Sequence, residues 1–155
     1  MTRTDVTETT RIDAPVTVVF EYLDDPRNQP EFTPSLTRSE PVEELSNGGK
    51  RVAYTYSMAG IDLTGEITAT KYEPESAIHW EMDGDITGEI KWTFEAEEDT
   101  TIFSYTAQYD IPIPVLDSVV KPFAERYNER ELKTALENLR TRIEAEVGST
   151  SGSTQ

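Results

Sequence analysis

The chain has 155 residues, enough for one domain, and carries 30 acidic against 14 basic side chains, a formal net charge of -16. That balance excludes nucleic acid as a partner, since phosphate binding needs clustered Lys and Arg, and disfavours anionic membrane surfaces. Cysteine is absent, which excludes disulfide frameworks, thiolate nucleophiles and cysteine-ligated metals.

The acids are spread from Asp5 to Glu146, and Arg outnumbers Lys. A dispersed acidic shell poor in lysine is the pattern of adaptation to high salt, where self-repulsion is screened, so a halophilic source is expected. Mean hydropathy is -0.57, yet the apolar residues cluster in periodic segments, which argues for folding over disorder. No apolar run approaches the ~20 residues of a membrane span. The polar start, MTRTDVTETT, reads as no signal peptide, so the expected location is cytoplasmic, without stable membrane insertion.

In chain order, Thr4 to Ile12 is rich in Thr and Val and reads as a strand. Asp13 is placed to cap a following helix, with Pro15 in its first turn. Val16, Val19, Phe20 and Leu23 then recur at helical spacing, with Tyr22 beside them, until Asp24-Asp25-Pro26 stops the helix. Asn28 to Phe32 reads as one more short turn, ending at Pro34. From Leu36 the period changes to two. Turn signals recur at Ser46-Asn47-Gly48-Gly49, Ala59-Gly60, Glu73-Pro74-Glu75, Asp83-Gly84-Asp85 and Glu97-Glu98-Asp99. Between them, apolar residues share one face of each strand: Val52, Tyr54, Tyr56 and Met58; Ile61, Leu63, Ile67 and Ala69; Ile78, Trp80 and Met82; Ile86, Ile90, Trp92 and Phe94; Phe103, Tyr105, Ala107 and Tyr109. The other faces carry Thr, Glu, Lys and Asp, so an antiparallel meander, apolar on one side, is predicted.

After Ile111-Pro112-Ile113-Pro114 a long helical segment runs to about Val147. Leu116, Val120, Phe123 and Tyr127 mark one stripe; Leu132, Leu136, Leu139 and Ile143 mark another well over 90° around the helix, with Pro122 between them to kink the segment or start a second helix. The predicted division is a single domain over 1–147 and a disordered Gly/Ser/Thr tail over 148–155.

The stretch RIDAPVTVVFEYLDDPRNQPEF, Arg11 to Phe32, places Ile12, Ala14, Pro15, Val19, Phe20, Leu23, Asp25, Pro26, Pro30 and Phe32 in a recurrent spacing. With the strand order and the terminal ALENLRTRIEAE from Ala135, the chain resembles the START-like SRPBCC superfamily, its polyketide cyclase/dehydrase and coenzyme Q-binding branches above all, over residues 4 to 147. The resemblance implies an α+β helix-grip fold: a curved seven-stranded antiparallel sheet around a long C-terminal helix, with a hydrophobic cavity between them. It implies no shared catalytic residue, and the fold hosts many functions.

The residues themselves show no catalytic motif. His79, the single histidine, alternates with Ile78 and Trp80 and so belongs on the polar face as a structural residue. Asp83-Gly84-Asp85-Ile86-Thr87-Gly88 resembles the start of an EF-hand loop, but Phe94 stands where the bidentate Glu belongs, and an Asp-Gly hairpin accounts for it. No metal site, phosphate loop, nucleophile elbow or cofactor is expected. What remains is the aromatic set. Tyr54, Tyr56, Trp80, Trp92, Phe94, Tyr105 and Tyr109, joined by Met58, Met82, Phe123 and Tyr127, either pack a plain core or line a ligand pocket. Buried tyrosine hydroxyls need partners, which favours the pocket. The leading expectation is a protein that binds a hydrophobic small molecule, such as a lipid, quinone or polyketide. A polyketide cyclase or dehydratase using Tyr54 or Tyr105, and a macromolecular interaction module using the stripe Leu116–Phe123, are the alternatives. The sequence sets no oligomeric state.

Overall fold

The computed structural model of the chain describes residues 3–58, 60–110 and 121–153; the side chains of 3–4, 58, 121–128 and 148–153 lie outside that description. The elements are β1 (Arg3–Ile12), α1 (Val16–Asp24), a 3-10 turn (Pro26–Asn28), α2 (Gln29–Phe32), β2 (Leu36–Glu44), β3 (Lys50–Met58), β4 (Ile61–Glu73), β5 (Ala77–Gly84), β6 (Thr87–Glu97), β7 (Thr100–Asp110) and a C-terminal helix, α3 (Lys121–Ser153). α3 thus continues past the Val147 boundary expected from sequence. Leu116 and Val120, and the Ile111–Pro114 run before them, lie outside the described residues.

The strands form one curved antiparallel sheet in the order β1-β7-β6-β5-β4-β3-β2. From β2 to β7 each strand pairs with its neighbour in sequence, as short turns dictate. β1 instead pairs with β7, from Arg3↔Asp110 to Ile12↔Thr101. The short helices therefore carry the chain from one edge of the sheet to the other. Register shifts fall at Leu36/Arg38, Pro41/Glu43 and Ala69/Lys71; such bulges add twist and bend their strands, which helps the sheet to curl.

The period-two reading holds strand by strand. Val52, Tyr54, Leu63, Ile67, Ala69, Ile78, Trp80, Ile90, Trp92, Phe94, Phe103 and Ala107 are buried on the concave face. α3 lies along that face and packs against β1, α1 and α2, burying Leu132, Ala135, Leu136, Leu139 and Ile143. Polar contacts fix its position. Glu144 Oε2 accepts from the Asp13 amide at 2.9 Å and Asn138 Nδ2 donates to the Phe32 carbonyl at 3.2 Å. This corrects the expected helix cap. The N-cap of α1 is Pro15, whose carbonyl accepts from Val18 and Val19, while Asp13 is drawn to α3 through its backbone.

α1 buries Val19, Phe20 and Leu23 against one part of the concave face. There Phe20 meets Phe94 at 5.3 Å between ring centroids, and Phe94 meets Phe103 at 5.1 Å. Thr101, fully buried, donates to the Ala14 carbonyl at 2.8 Å and ties the entry of α1 to β7.

Candidate ligand-binding site

α1 fills only part of the hollow. The remainder is a cavity of about 120 Å³ bounded by strands β1 to β7, by α2 and the turn after it, and by α3. Strand alternation supplies most of the wall: Leu63 and Ile67 from β4, Ile90 from β6 and Ala107 from β7 join Ile86 in the β5–β6 turn. α3 contributes Glu131, Leu132 and Ala135, and the α2 region contributes Gln29, Phe32, Thr33 and Leu36.

Of the residues singled out from sequence, the structure brings Tyr54, Tyr56, Met82, Trp92, Tyr105 and Tyr109 to this cavity. Trp80 and Phe94 share the concave face but lie outside the lining, packed in the adjoining core. Trp80 stacks edge-on with Trp92 at 5.4 Å, and Phe94 is covered by Phe20. The side chains of Met58, Phe123 and Tyr127 lie outside the described residues. Trp92 marks the boundary, touching Phe103 on the core side and Tyr105, its cross-strand partner, on the cavity side.

The polar groups of the wall are few. Burial pushes Tyr105 up to about 12. Tyr54 is likewise pushed up to about 12, by burial first and then by the negative charge of Asp85. Both are therefore neutral hydroxyls at ordinary pH. The Tyr54 hydroxyl sits over Gly65 of β4; a Cβ there would come within 2.9 Å of it and 2.4 Å of the Asp83 carbonyl. Ile86 has its backbone turned towards that hydroxyl, without reaching hydrogen-bond geometry. Trp92 Nε1, Gln29 Nε2 and Tyr54 Oη are buried with no protein partner among the described residues.

Glu131 and Gln29 were missed in the sequence. Glu131 stands four residues before Ala135, one helical turn on the same face, so the period offered a signal. Gln29 lies in a proline-bounded turn where no period applies. The Glu131 carboxylate accepts from the Ser35 amide at 2.9 Å and from the Ser35 hydroxyl, pinning α3 to the start of β2. His79, by contrast, is where alternation puts it, on the outer face between Lys71 and Lys91. Partial burial, then those two lysines, hold its pKa below the usual imidazole value. The Asp83–Gly88 segment joins β5 to β6 through a turn at Asp85–Ile86, with Asp85 accepting from the Thr64 amide at 2.8 Å.

The family model for polyketide cyclase/dehydrase and lipid transport matches residues 3–144. The chain belongs to this family. Among solved structures, this family member is similar to a protein of Thermus thermophilus, with 18% identity, a TM-score of 0.79, and coverage of 92% of this chain and 98% of the other. It is similar to a START superfamily protein from Mycobacterium smegmatis, at 14% identity and a TM-score of 0.76 over 91% and 97% of the two chains. It is also similar to the Zhui aromatase/cyclase from Streptomyces sp. R1128, at 17% identity and a TM-score of 0.76 over 94% and 96%. No curated protein matches the chain. These likenesses show the START-like helix-grip fold. Among the described residues, no helix is long and apolar enough to cross a membrane, and no group of acidic or histidine side chains is placed to hold a metal.

Proposed function

We propose that the protein binds a hydrophobic small molecule, a lipid, quinone or polyketide-like compound, in the cavity between the sheet and α3. The observation that carries this reading is the cavity itself. The wall is apolar except for a handful of polar groups, a composition suited to small-molecule binding rather than to a sealed core. Its ligand contacts are Tyr54, Tyr56, Met82, Trp92, Tyr105 and Tyr109. The volume of about 120 Å³ accommodates about one ring without rearrangement, by comparison with an engineered apolar cavity of roughly 150 Å³ that binds benzene. A larger ligand requires α3 or the turn after α2 to move outward. Native mass spectrometry of the purified protein, with titration of the one-ring hydrocarbon α-methylstyrene, tests the reading. A co-purifying apolar ligand or saturable binding supports it; an empty, folded protein that binds no hydrocarbon overturns it.

A second reading is a cyclase or dehydratase. It is favoured by one observation: Tyr105, a neutral hydroxyl able to donate a proton, lines the same cavity as a carboxylate, Glu131. An acid and a base in one apolar cavity are what enolisation and dehydration require. Turnover of a poly-β-ketone substrate that is lost in Tyr105→Phe, with binding retained, would favour this reading over simple carriage.

A further inference from the structure

Resting on the ligand-binding reading above, we propose that the cavity selects a neutral ligand bearing a hydrogen-bond acceptor, such as a carbonyl oxygen, and rejects carboxylates of the same shape. The argument begins with Trp92 Nε1, Gln29 Nε2 and Tyr54 Oη. All three atoms are buried without a protein partner among the described residues, and all three residues line the cavity. An indole N–H and an amide NH2 only donate, and a tyrosine hydroxyl can donate. A buried donor left unpaired is costly, so a ligand that brings an acceptor to it gains something a hydrocarbon cannot supply.

The donors come from separate elements, Gln29 on α2, Tyr54 on β3 and Trp92 on β6. A ligand with more than one carbonyl can therefore engage more than one wall.

Charge sets the other half of the selection. Among the described residues, no Lys, Arg or His lines the cavity. The charged residue that the described wall contains is Glu131, whose Oε1 accepts from Ser35. Near Tyr54 the field of Asp85 and Asp83 is negative, and the whole chain carries -16. A bound carboxylate would be desolvated with no counter-ion among the described residues, beside charges of its own sign. A free fatty acid anion is thus a poor occupant, whereas a quinone, enone or ester meets donors and no repulsion.

The test is a calorimetric titration at pH 7.5 with three one-ring probes of nearly equal shape: α-methylstyrene, acetophenone and benzoate. They place a methylene, a carbonyl oxygen or a carboxylate at the same position. Acetophenone is expected to bind at least about tenfold more tightly than benzoate. The ratio of acetophenone to α-methylstyrene affinity is expected to fall about fivefold in at least one of Tyr54→Phe, Gln29→Leu and Trp92→Phe. Taking the ratio cancels any change in cavity shape, and the comparison in the unaltered protein stands even if a variant does not fold. Benzoate binding as well as acetophenone would overturn the proposal. So would ratios unchanged in every folded variant, the result expected if water alone serves these donors; binding of α-methylstyrene in that case leaves the cavity reading intact. If none of the three probes binds, both readings fall.

Discussion

Replacing Ala135 with Leu should stabilise the protein and close its cavity at once. Ala135 is buried on α3, and its methyl group forms part of the cavity wall. Unfilled apolar space costs about 24 cal/mol per Å³, so a void of about 120 Å³ corresponds to about 3 kcal/mol of forgone stability. Leu adds three carbons; at about 0.8 kcal/mol per buried methylene the ceiling is roughly 2 kcal/mol. Imperfect fit lowers this to about 1–2 kcal/mol. Ala and Leu are both strong helix formers, so helix propensity contributes only a few tenths. For a chain of this size the gain corresponds to a rise of roughly 2–8 °C in Tm. Calorimetric melting of the two proteins measures that rise, and titration with α-methylstyrene should show affinity reduced at least about tenfold by the lost space. A variant that melts lower and binds the hydrocarbon unchanged would refute the reasoning, because it would mean that Ala135 does not face open space.

Four further outcomes are expected. Gly65→Ala should destabilise by roughly 1–3 kcal/mol in urea unfolding, because the added Cβ meets the Asp83 carbonyl at 2.4 Å and backbone there cannot yield cheaply. Tyr105→Phe should leave affinity for α-methylstyrene within about twofold, since the ring is kept and only a hydroxyl is lost; in an enzyme the same variant would lose turnover. Tyr22, Tyr54, Tyr72 and Tyr105 are each pushed up to about 12, chiefly by burial. Their contribution to stability is therefore complete below the unfolded value of about 10 and is lost as pH rises towards 12. Absorbance at 295 nm against pH should show these phenols ionising together with unfolding rather than before it. Finally, molar potassium chloride should raise Tm, as screening relieves the self-repulsion of a chain with a net charge of -16; a flat or falling Tm across the salt series would count against adaptation to high salt.

The strands and their inner faces were legible because a strand's side chains alternate with a fixed period of two. Tyr54, Trp92 and Tyr105 could be assigned to one side of the sheet from spacing alone, and His79 to the other. The helix of Val19, Phe20 and Leu23 followed from its own period in the same way. Asp13 shows the limit of local grammar. A residue of capping type stands in a capping position, but a carboxylate on α3, distant in sequence, takes its amide.

The division of the concave face between core and cavity is a different matter. Trp80, Trp92 and Phe94 are equivalent by alternation, yet only Trp92 lines the cavity. What separates them is how the neighbouring elements pack: Phe20 of α1 covers Phe94, and Trp80 packs edge-on against Trp92. Gln29 and Glu131 reach the wall because α2 and α3 converge on it from distant parts of the chain. The sequence by itself thus determined the strands, their faces and the family, since each rests on short-range periodicity or a contiguous motif. Where the open space lies, and which donors border it, was decided by tertiary structure alone, because a cavity is the volume that packing elements leave between them and belongs to no single segment.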